Sequence, residues 1–359
     1  MLRSTCWIAS LGFACSTSLT LAAGPTSLEL LGQVALAGEI RIGEVPVGGL
    51  SGLAFDERTG KYFALSDDRS ENGPARFYRL AIELPNLQSA APGAPLAPVV
   101  AVEAATTLLG RDGAPFPRRS LDPEGIALGS RRIYISSEGE AKVGQAPFVY
   151  EFDLAGRFVR ELPLPARYRP AVGAAVGVRE NLGFESLALS PDGRYLFCAP
   201  ENGLAQESPA AAPGVASLSR LLRWDLERGG APAEFLYRVE AVSRTPPAPA
   251  DLIINGLVEL IALDRDHLLT LERQWVPGVG VEIQLYAVSL AGLPDAGKID
   301  PPASLALATA PKTLLLDFAD LGLPLDNYEG MAFGAPLPDG RRPLLFVSDD
   351  NFNPDLQKT

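Results

Sequence analysis

The sequence contains little histidine or cysteine and has no surplus of positive charge. Its 359 residues include one histidine and three cysteines, and 43 acidic residues outnumber 31 basic ones, which gives a net charge of -12. The single histidine, His267, lies in a turn between two apolar runs, which argues against a Ser-His-Asp triad or a histidine-rich zinc site. Because no basic stripe is present to hold a phosphate backbone, no nucleic-acid partner is expected.

The N-terminal segment has the composition of a leader. Residues 1–23 carry one charge, Arg3, followed by an apolar stretch over residues 7–21 and then small residues. This pattern predicts a cleaved secretory signal peptide, a secreted or periplasmic protein, and no membrane association after cleavage. A membrane anchor is the alternative, but serine and threonine interrupt the stretch and no charged stop follows it. The mature chain, residues 24–359, would be one domain and would keep Cys198 alone, without a disulfide.

One sequence pattern occurs five times: an acid, an apolar run, a turn, a second apolar run and another acid. Its clearest copy spans residues 182–201, and the first positions of the five copies are Ser51, Glu124, Glu185, Glu259 and Glu329. Short apolar runs joined by Gly/Asp turns are typical of antiparallel hairpins. Self-similarity of this kind without helical periodicity predicts a β-propeller.

The runs that follow each hairpin set the expected size of a blade. Two further strand-like runs come after each of the first four hairpins, so the predicted fold is all-β, most simply five blades of four antiparallel strands. A sixth blade is possible if a divergent unit lies in the long Pro- and Ala-rich segments. The fifth unit stops after its inner hairpin, and the run from Leu28 to Ala37 is expected to complete it.

The acids of the hairpins are expected to meet at one mouth, because the start of the first strand lies beside the end of the second in an antiparallel pair. Close carboxylates resist joint ionisation unless a cation or an arginine lies between them. Calcium, which takes six to eight oxygen ligands, suits such a set better than a transition metal. The predicted metal ligands are Asp68, Glu124, Glu138, Glu185, Glu201, Glu259, Glu272, Glu329 and Asp350. Taken singly, each acid could instead be a solvated loop carboxylate.

The order of motifs along the chain resembles the phytase-like family, whose members are also described as having the esterase-like activity of phytase. The residues that carry the resemblance are Gly49-Leu-Ser-Gly-Leu53, Ser66-Asp-Asp-Arg69, Asp122-Pro-Glu-Gly125, Asn181-Leu-Gly-Phe-Glu185, Leu271-Glu-Arg273, Asp326-Asn-Tyr-Glu-Gly330 and Ser348-Asp-Asp-Asn-Phe352. The resemblance implies a secreted, calcium-dependent phosphoester hydrolase with a propeller fold. The chain departs from the family at Glu201-Asn-Gly-Leu204, where Glu-Pro-Leu is usual, and at its C-terminal end, where the family continues into another strand.

The mechanism expected on this basis is metal-assisted hydrolysis at the acidic mouth. Calcium would polarise a phosphate ester and activate a water, with Glu124, Glu185 and Glu329 as catalytic residues. Three arginines, Arg69, Arg119 and Arg273, are the candidates for holding the phosphate, although they could equally hold carboxylates structurally. Two alternatives remain open: a calcium-dependent lactonase or carboxylesterase, and a non-catalytic calcium-stabilised binding module. The expected partner is a small-molecule phosphate ester, and the chain is expected to be a monomer.

Overall fold

The computed structural model describes residues 3–11, 28–37, 40–84, 98–248, 253–298 and 308–352. Secondary structure in these residues is almost entirely strand. The strands are β1 (Arg3–Leu11), β2 (Leu28–Ala37), β3 (Arg41–Ile42), β4 (Val45–Pro46), β5 (Leu50–Asp56), β6 (Lys61–Ser66), β7 (Arg76–Glu83), β8 (Val99–Thr107), β9 (Pro123–Leu128), β10 (Arg132–Ser137), β11 (Phe148–Asp153), β12 (Phe158–Glu161), β13 (Phe184–Leu189), β14 (Tyr195–Pro200), β15 (Ser217–Asp225), β16 (Ala233–Val239), β17 (Ile254–Ala262), β18 (His267–Val276), β19 (Gly280–Ser289), β20 (Lys312–Asp317), β21 (Tyr328–Phe333) and β22 (Arg342–Ser348).

Helical structure in the described ranges consists of short 3₁₀ turns. They span Ala141–Val143, Ala166–Tyr168, Ala296–Lys298 and Phe318–Leu321. Within the same ranges, no helix has the length and apolar character needed to cross a membrane.

The long strands form five four-stranded antiparallel sheets, four of them from strands that are consecutive in sequence. From the inside outwards, blade 1 is β5-β6-β7-β8, blade 2 is β9-β10-β11-β12, blade 3 is β13-β14-β15-β16, blade 4 is β17-β18-β19-β20 and blade 5 is β21-β22-β1-β2. The innermost strands contact one another in the order β5, β9, β13, β17 and β21, and β21 contacts β5. The ring is therefore closed, and the predicted all-β propeller is confirmed.

Blade 5 combines strands from distant parts of the chain. As predicted, the run from Leu28 to Ala37 joins this blade, and it forms the outermost strand, β2. The sequence did not reveal the third strand, β1, in which Trp7 pairs with Gln33 on one side and Phe346 on the other. Most of the predicted leader, including residues 12–23, lies outside the described residues, and its cleavage stays a prediction.

Parts of the long Pro- and Ala-rich segments also lie outside the described residues. These parts are 85–97, 249–250 and 299–302.

Continuous apolar runs in the middle strands are explained by burial on both faces. In β14, Leu196 packs in a cluster with Tyr134 of blade 2, whereas its neighbour Phe197 packs in a cluster with Leu257 of blade 4. Successive side chains of a strand point to opposite faces, and here each face meets an adjacent blade. A strand covered on both faces loses polar alternation and becomes uniformly apolar. The core is thus a set of layers between blades, with the polar channel mouth at their inner edge.

Candidate functional site

A β-bulge lies at the start of each inner hairpin, and in three of the five blades it places a glutamate at the mouth. The pairing of β5 with β6 shifts between Leu50 and Gly52, and the same shift recurs in the other inner hairpins. A bulge leaves one residue unpaired and changes the direction of its side chain. The bulged residues are Ser51, Glu124, Glu185, Val258 and Glu329.

Another ring of side chains comes from the residues at the end of the second strand of each inner hairpin. The backbone N–H groups of Asp67, Glu138, Glu201 and Asp349 each donate to the carbonyl oxygen of the residue before the inner strand, over 2.7 to 2.9 Å. In blade 4 the residue at this position is Arg273, which pairs with Gly256. Blades 1, 2, 3 and 5 therefore place an acid at this position, whereas blade 4 places a guanidinium there.

Side chains from all five blades line a cleft of about 240 Å³ at the mouth. Of the residues singled out in the sequence, Asp68, Arg69, Glu124, Glu138, Glu185, Glu201, Arg273 and Glu329 line it. Its wall also includes Asp67, Glu71, Asn72, Asp122, Asn181, Ile254, Asn351 and Phe352. The predicted residues Glu259, Glu272, Asp350 and Arg119 do not line it, so the prediction that they share the mouth is wrong.

In the fourth hairpin, the acids of the sequence pattern are one residue out of register with the structural positions at the mouth. The bulge there falls at Val258, and Glu259 pairs with Leu271, so Glu259 occupies the position of Gly52 and Gly330 in their hairpins. A shift of one residue turns a side chain to the other face of a strand. The same shift moves Glu272 off the mouth and puts Arg273 there.

Glu259 is buried in the channel below the mouth, with 1% of its surface exposed. Its carboxylate accepts from the backbone N–H groups of Leu187 at 3.3 Å and Leu260 at 2.8 Å, and also from that of Met331. These residues lie on β13, β17 and β21. Burial raises the pKa of Glu259 well above its ordinary value, although the backbone donors oppose this effect. The side chain therefore ties three inner strands together and is unsuited to bind a ligand in the cleft.

Glu272 belongs to a buried polar network between β18 and the outer strands of blades 3 and 4. It accepts from the Tyr237 hydroxyl at 2.6 Å and from the backbone N–H of Glu240 at 3.0 Å, and it pairs with the Lys312 ammonium. With only 2% of its surface exposed, it has protein donors for both oxygens. Its role in this structure is structural.

Asp68 lines the cleft, but its carboxylate is already saturated. One oxygen accepts from the backbone N–H groups of Glu71 and Asn72, and the other pairs with Arg76 at 2.6 Å in a buried ion pair. A carboxylate held in this way has little capacity left for a metal. The structure therefore assigns Asp68 to the support of the loop after β6.

Asp350 and Arg119 lie outside the cleft wall for different reasons. Asp350 Oδ1 accepts from the backbone N–H of Gly49 at 2.8 Å and thereby links blade 5 to blade 1. Arg119 has a side chain that is 49% exposed, and it pairs with Glu140 at 2.8 Å. Neither side chain is part of the cleft wall.

Three carboxylates on blade 2 form the tightest acidic cluster among the described residues. Asp122, Glu124 and Glu138 are all buried, and each offers an oxygen within 4.8 Å of the others. Arg69 of blade 1 contacts both carboxylate oxygens of Asp122, and its Nε donates to Asp122 Oδ1 at 2.7 Å. The Nη2 atom of Arg69 also lies 3.9 Å from Glu138 Oε2. The arginine holds Asp122 in one orientation towards the other two acids.

A second group of acids surrounds Arg273 on the opposite side of the mouth. Arg273 Nη1 donates to Glu329 Oε1 at 2.7 Å, and Nη2 lies 4.0 Å from Glu201 Oε1. The negative charge of Glu329, Glu201 and Glu185 raises the pKa of Arg273 and outweighs the opposing effect of its burial. The guanidinium is therefore a fixed positive charge between blades 3 and 5.

The electrostatics of the cleft are those of crowded carboxyl groups. Burial raises the pKa of Glu124, Glu138 and Glu185 well above the usual range, and the charges of neighbouring carboxylates raise it further. Burial is also the largest influence on Glu201, where it raises the pKa from 4.5 to about 7 even though Arg273 acts in the other direction. Burial and mutual repulsion therefore both oppose ionisation of these carboxyl groups, and a bound cation would relieve that repulsion.

Glycines at the start of two inner strands, Gly183 just before β13 and Gly256 within β17, make room for acids of the preceding blades. A Cβ on Gly256 would lie 2.1 Å from Glu201 Cγ, and one on Gly183 would lie 2.4 Å from the backbone oxygen of Glu138. The Gly183 N–H donates to Glu138 Oε1 at 2.9 Å. Close approach of backbone to carboxylate therefore requires glycine at both positions.

Asp67, Asp122 and Asp349 were not among the predicted ligands. Asp67 and Asp122 line the cleft, and Asp349, which is 1% exposed, occupies the equivalent place at the end of β22. The doublets Asp67-Asp68 and Asp349-Asp350 contained the signal, because the first member of each doublet pairs with the residue before the inner strand. Counting from the bulge, and not from the end of the apolar run, would have selected the first member.

The fold and cleft together define a β-propeller with an acidic, oxygen-lined mouth. Residues 45–352 match the phytase-like family, described as esterase-like activity of phytase. The chain belongs to this family, and membership together with the propeller fold indicates a hydrolase. No curated protein matches the chain.

Two solved structures illustrate what this chain is similar to. The Dos1 propeller is 9% identical, with a TM-score of 0.32, over 89% of this chain and 70% of that one. A putative 6-phosphogluconolactonase from Bacteroides uniformis is 13% identical, with a TM-score of 0.31, over 95% of this chain and 88% of that one. Similarity at this level carries no argument about substrate.

Proposed function

We propose that the protein is a secreted, calcium-dependent hydrolase of small phosphate esters and that the cleft is its active site. The observation that supports this most directly is the blade 2 cluster, in which Asp122, Glu124 and Glu138 bring buried oxygens within 4.8 Å of one another. Membership of the phytase-like family is consistent with this chemistry.

The donor set of the cluster fits calcium. All its atoms are carboxylate oxygens, and the described wall of the cleft contains neither histidine nor cysteine. Hard cations with flexible coordination prefer such ligands. When bound by Asp122, Glu124 and Glu138, calcium would supply Lewis-acid polarisation of a phosphoryl oxygen.

The arginines have distinct roles in this proposal. Arg69 is committed to Asp122 by two contacts and is a positioning residue for the cluster. Arg273 uses Nη1 for Glu329 and keeps further N–H groups for the phosphoryl oxygens of a substrate. Planar guanidinium groups recognise phosphate through paired hydrogen bonds.

Glu185 is the candidate for proton transfer. It lines the cleft on the bulge of β13, and burial followed by repulsion from Glu138 and Glu201 raises its pKa well above the usual range. A carboxyl group that stays protonated near neutral pH can donate its proton to the leaving oxygen of an ester. Glu329 is held in position by its 2.7 Å hydrogen bond from Arg273.

The proposal is tested by substrate choice and by two amide variants. The calcium-loaded protein should hydrolyse an aryl phosphate faster than an aryl carboxylic ester or a lactone. Glu124→Gln and Glu138→Gln should lose both this activity and calcium binding measured by isothermal titration calorimetry, because the amide keeps the shape but not the charge. Glu140→Gln is the matched control, since Glu140 pairs with Arg119 outside the cleft.

The alternatives give different results in the same experiment. Hydrolysis confined to the ester or the lactone would replace the phosphoesterase by a lactonase or carboxylesterase. Calcium binding without turnover of any of the three would favour a calcium-stabilised binding module. Full phosphatase activity in Glu124→Gln would refute the assignment of the cluster.

A further inference from the structure

We propose that Arg273 permanently occupies a second cation position of the cleft, so that the wild-type protein accepts one calcium ion and excludes another. The inference rests on the proposed calcium site on blade 2 and concerns the opposite side of the mouth. It assigns to one guanidinium the charge that a second ion would otherwise supply.

The first observation is that blade 4 breaks the repeat at both mouth positions. Its bulged residue is Val258, where blades 2, 3 and 5 have glutamate. At the end of its second strand it has Arg273, where the other four blades have an acid. A propeller with an acid at every such position would carry more uncompensated negative charge, and the exchange puts a cation between the acids of blades 3 and 5.

The second observation is the set of contacts that the guanidinium makes. Arg273 lies 2.7 Å from Glu329 and 4.0 Å from Glu201, and Glu185 acts on it electrostatically. Its side chain is 13% exposed, so the charge is held inside the cleft. An arginine cannot lose its proton under physiological conditions, unlike a lysine at such a site.

The third observation is an unused buried acceptor in this half of the cleft. Glu201 is 2% exposed, and its Oε1 has no hydrogen-bond partner within the described part of the chain. The atom faces Arg273 at a distance too long for a hydrogen bond. Such an oxygen is an available ligand once the guanidinium is removed.

Removal of the guanidinium should therefore open a second site. Arg273→Met keeps a long side chain but leaves Glu185, Glu201 and Glu329 without their cation. Calcium, with flexible oxygen coordination, is the ion expected to replace it. Arg273→Lys keeps the charge and should leave the ion count unchanged.

Calcium stoichiometry measured by equilibrium dialysis tests the inference without reference to turnover. We expect one ion in the wild type, in Arg273→Lys and in the surface control Arg119→Met, and two in Arg273→Met. The second ion should be lost when Glu201→Gln is added to Arg273→Met. Equal stoichiometry in Arg273→Met and the wild type would overturn the inference, as would two ions in the wild type.

Thermal melting covers the case in which Arg273→Met is unstable without calcium. Its melting temperature should then rise with added calcium by several degrees more than that of the wild type, because binding to a second site stabilises the folded state. An identical rise would overturn the inference. No ion in the wild type but one in Arg273→Met would refute the proposed site on blade 2 and leave this inference standing.

Discussion

Glu201 should make the calcium-free protein less stable as the pH rises. It is 2% exposed, and burial raises its pKa from 4.5 to about 7. An acid with a higher pKa in the folded state binds its proton more tightly there than in the unfolded chain. The contribution of Glu201 to the free energy of unfolding is therefore fully present below pH 4.5 and is lost as the pH rises through about 7.

The size of this effect follows from the shift. Each pKa unit corresponds to about 1.4 kcal/mol, so the carboxyl of Glu201 alone should lower the free energy of unfolding by about 3 kcal/mol across this range. Glu124, Glu138 and Glu185 act in the same direction, because burial raises the pKa of each. Glu201→Gln removes one contribution and should make the decline smaller by about 3 kcal/mol.

Urea unfolding at about pH 5 and about pH 8, with a chelator present, measures the decline. Glu57→Gln is the control, since the Glu57 side chain is 77% exposed and should leave the pH dependence unchanged. An equal decline in the wild type and in Glu201→Gln would refute the reasoning. Added calcium should restore stability at the higher pH in the wild type, because a bound cation compensates the ionised carboxylates.

Three further predictions address packing, the channel and processing. Gly256→Ala should cost about 1 to 3 kcal/mol of stability, because its Cβ would lie 2.1 Å from Glu201, whereas Gly129→Ala, with its nearest atom at 3.4 Å, should be tolerated. Glu259→Leu should cost about 2 kcal/mol or more in urea unfolding, since buried backbone N–H groups lose their acceptor, and hydrogen exchange should locate the loss in the inner strands. The predicted leader includes β1, so N-terminal sequencing of the exported protein decides between a leader and a blade strand: cleavage near residue 23 is expected from the sequence and would remove β1 from blade 5, whereas an intact N-terminus would contradict the leader assignment.

The fold could be predicted because its signals are repeated. Apolar runs separated by Gly/Asp turns occur in every unit, and each copy supports the interpretation of the others. The position of β2 in the last blade also followed from counting strands. The strand β1 could not be predicted in this way, because the apolar composition of residues 3–11 is compatible both with a signal peptide and with a strand of a propeller blade.

The candidate site was predicted in outline but not in register. Glu124, Glu185 and Glu329 were found because the bulge falls at the same point of each copy of the pattern. In the fourth hairpin, Glu259 comes one residue after the bulge at Val258, and Glu272 comes one residue before Arg273. Both acids therefore matched the sequence pattern without facing the mouth. Bulges arise from backbone pairing, and no residue type marks them reliably in a sequence.

The composition of blade 5 has a consequence for the time at which the cleft forms. The ion pair between Glu29 of β2 and Arg341 joins residues 312 positions apart. Bringing such distant segments together costs about 5 kcal/mol of chain entropy. During synthesis, four blades can fold while this last partner is still missing. The cleft takes Asp67 from blade 1 and Glu329 from blade 5, so its complete wall exists only after the final hairpin has left the ribosome and joined the ring.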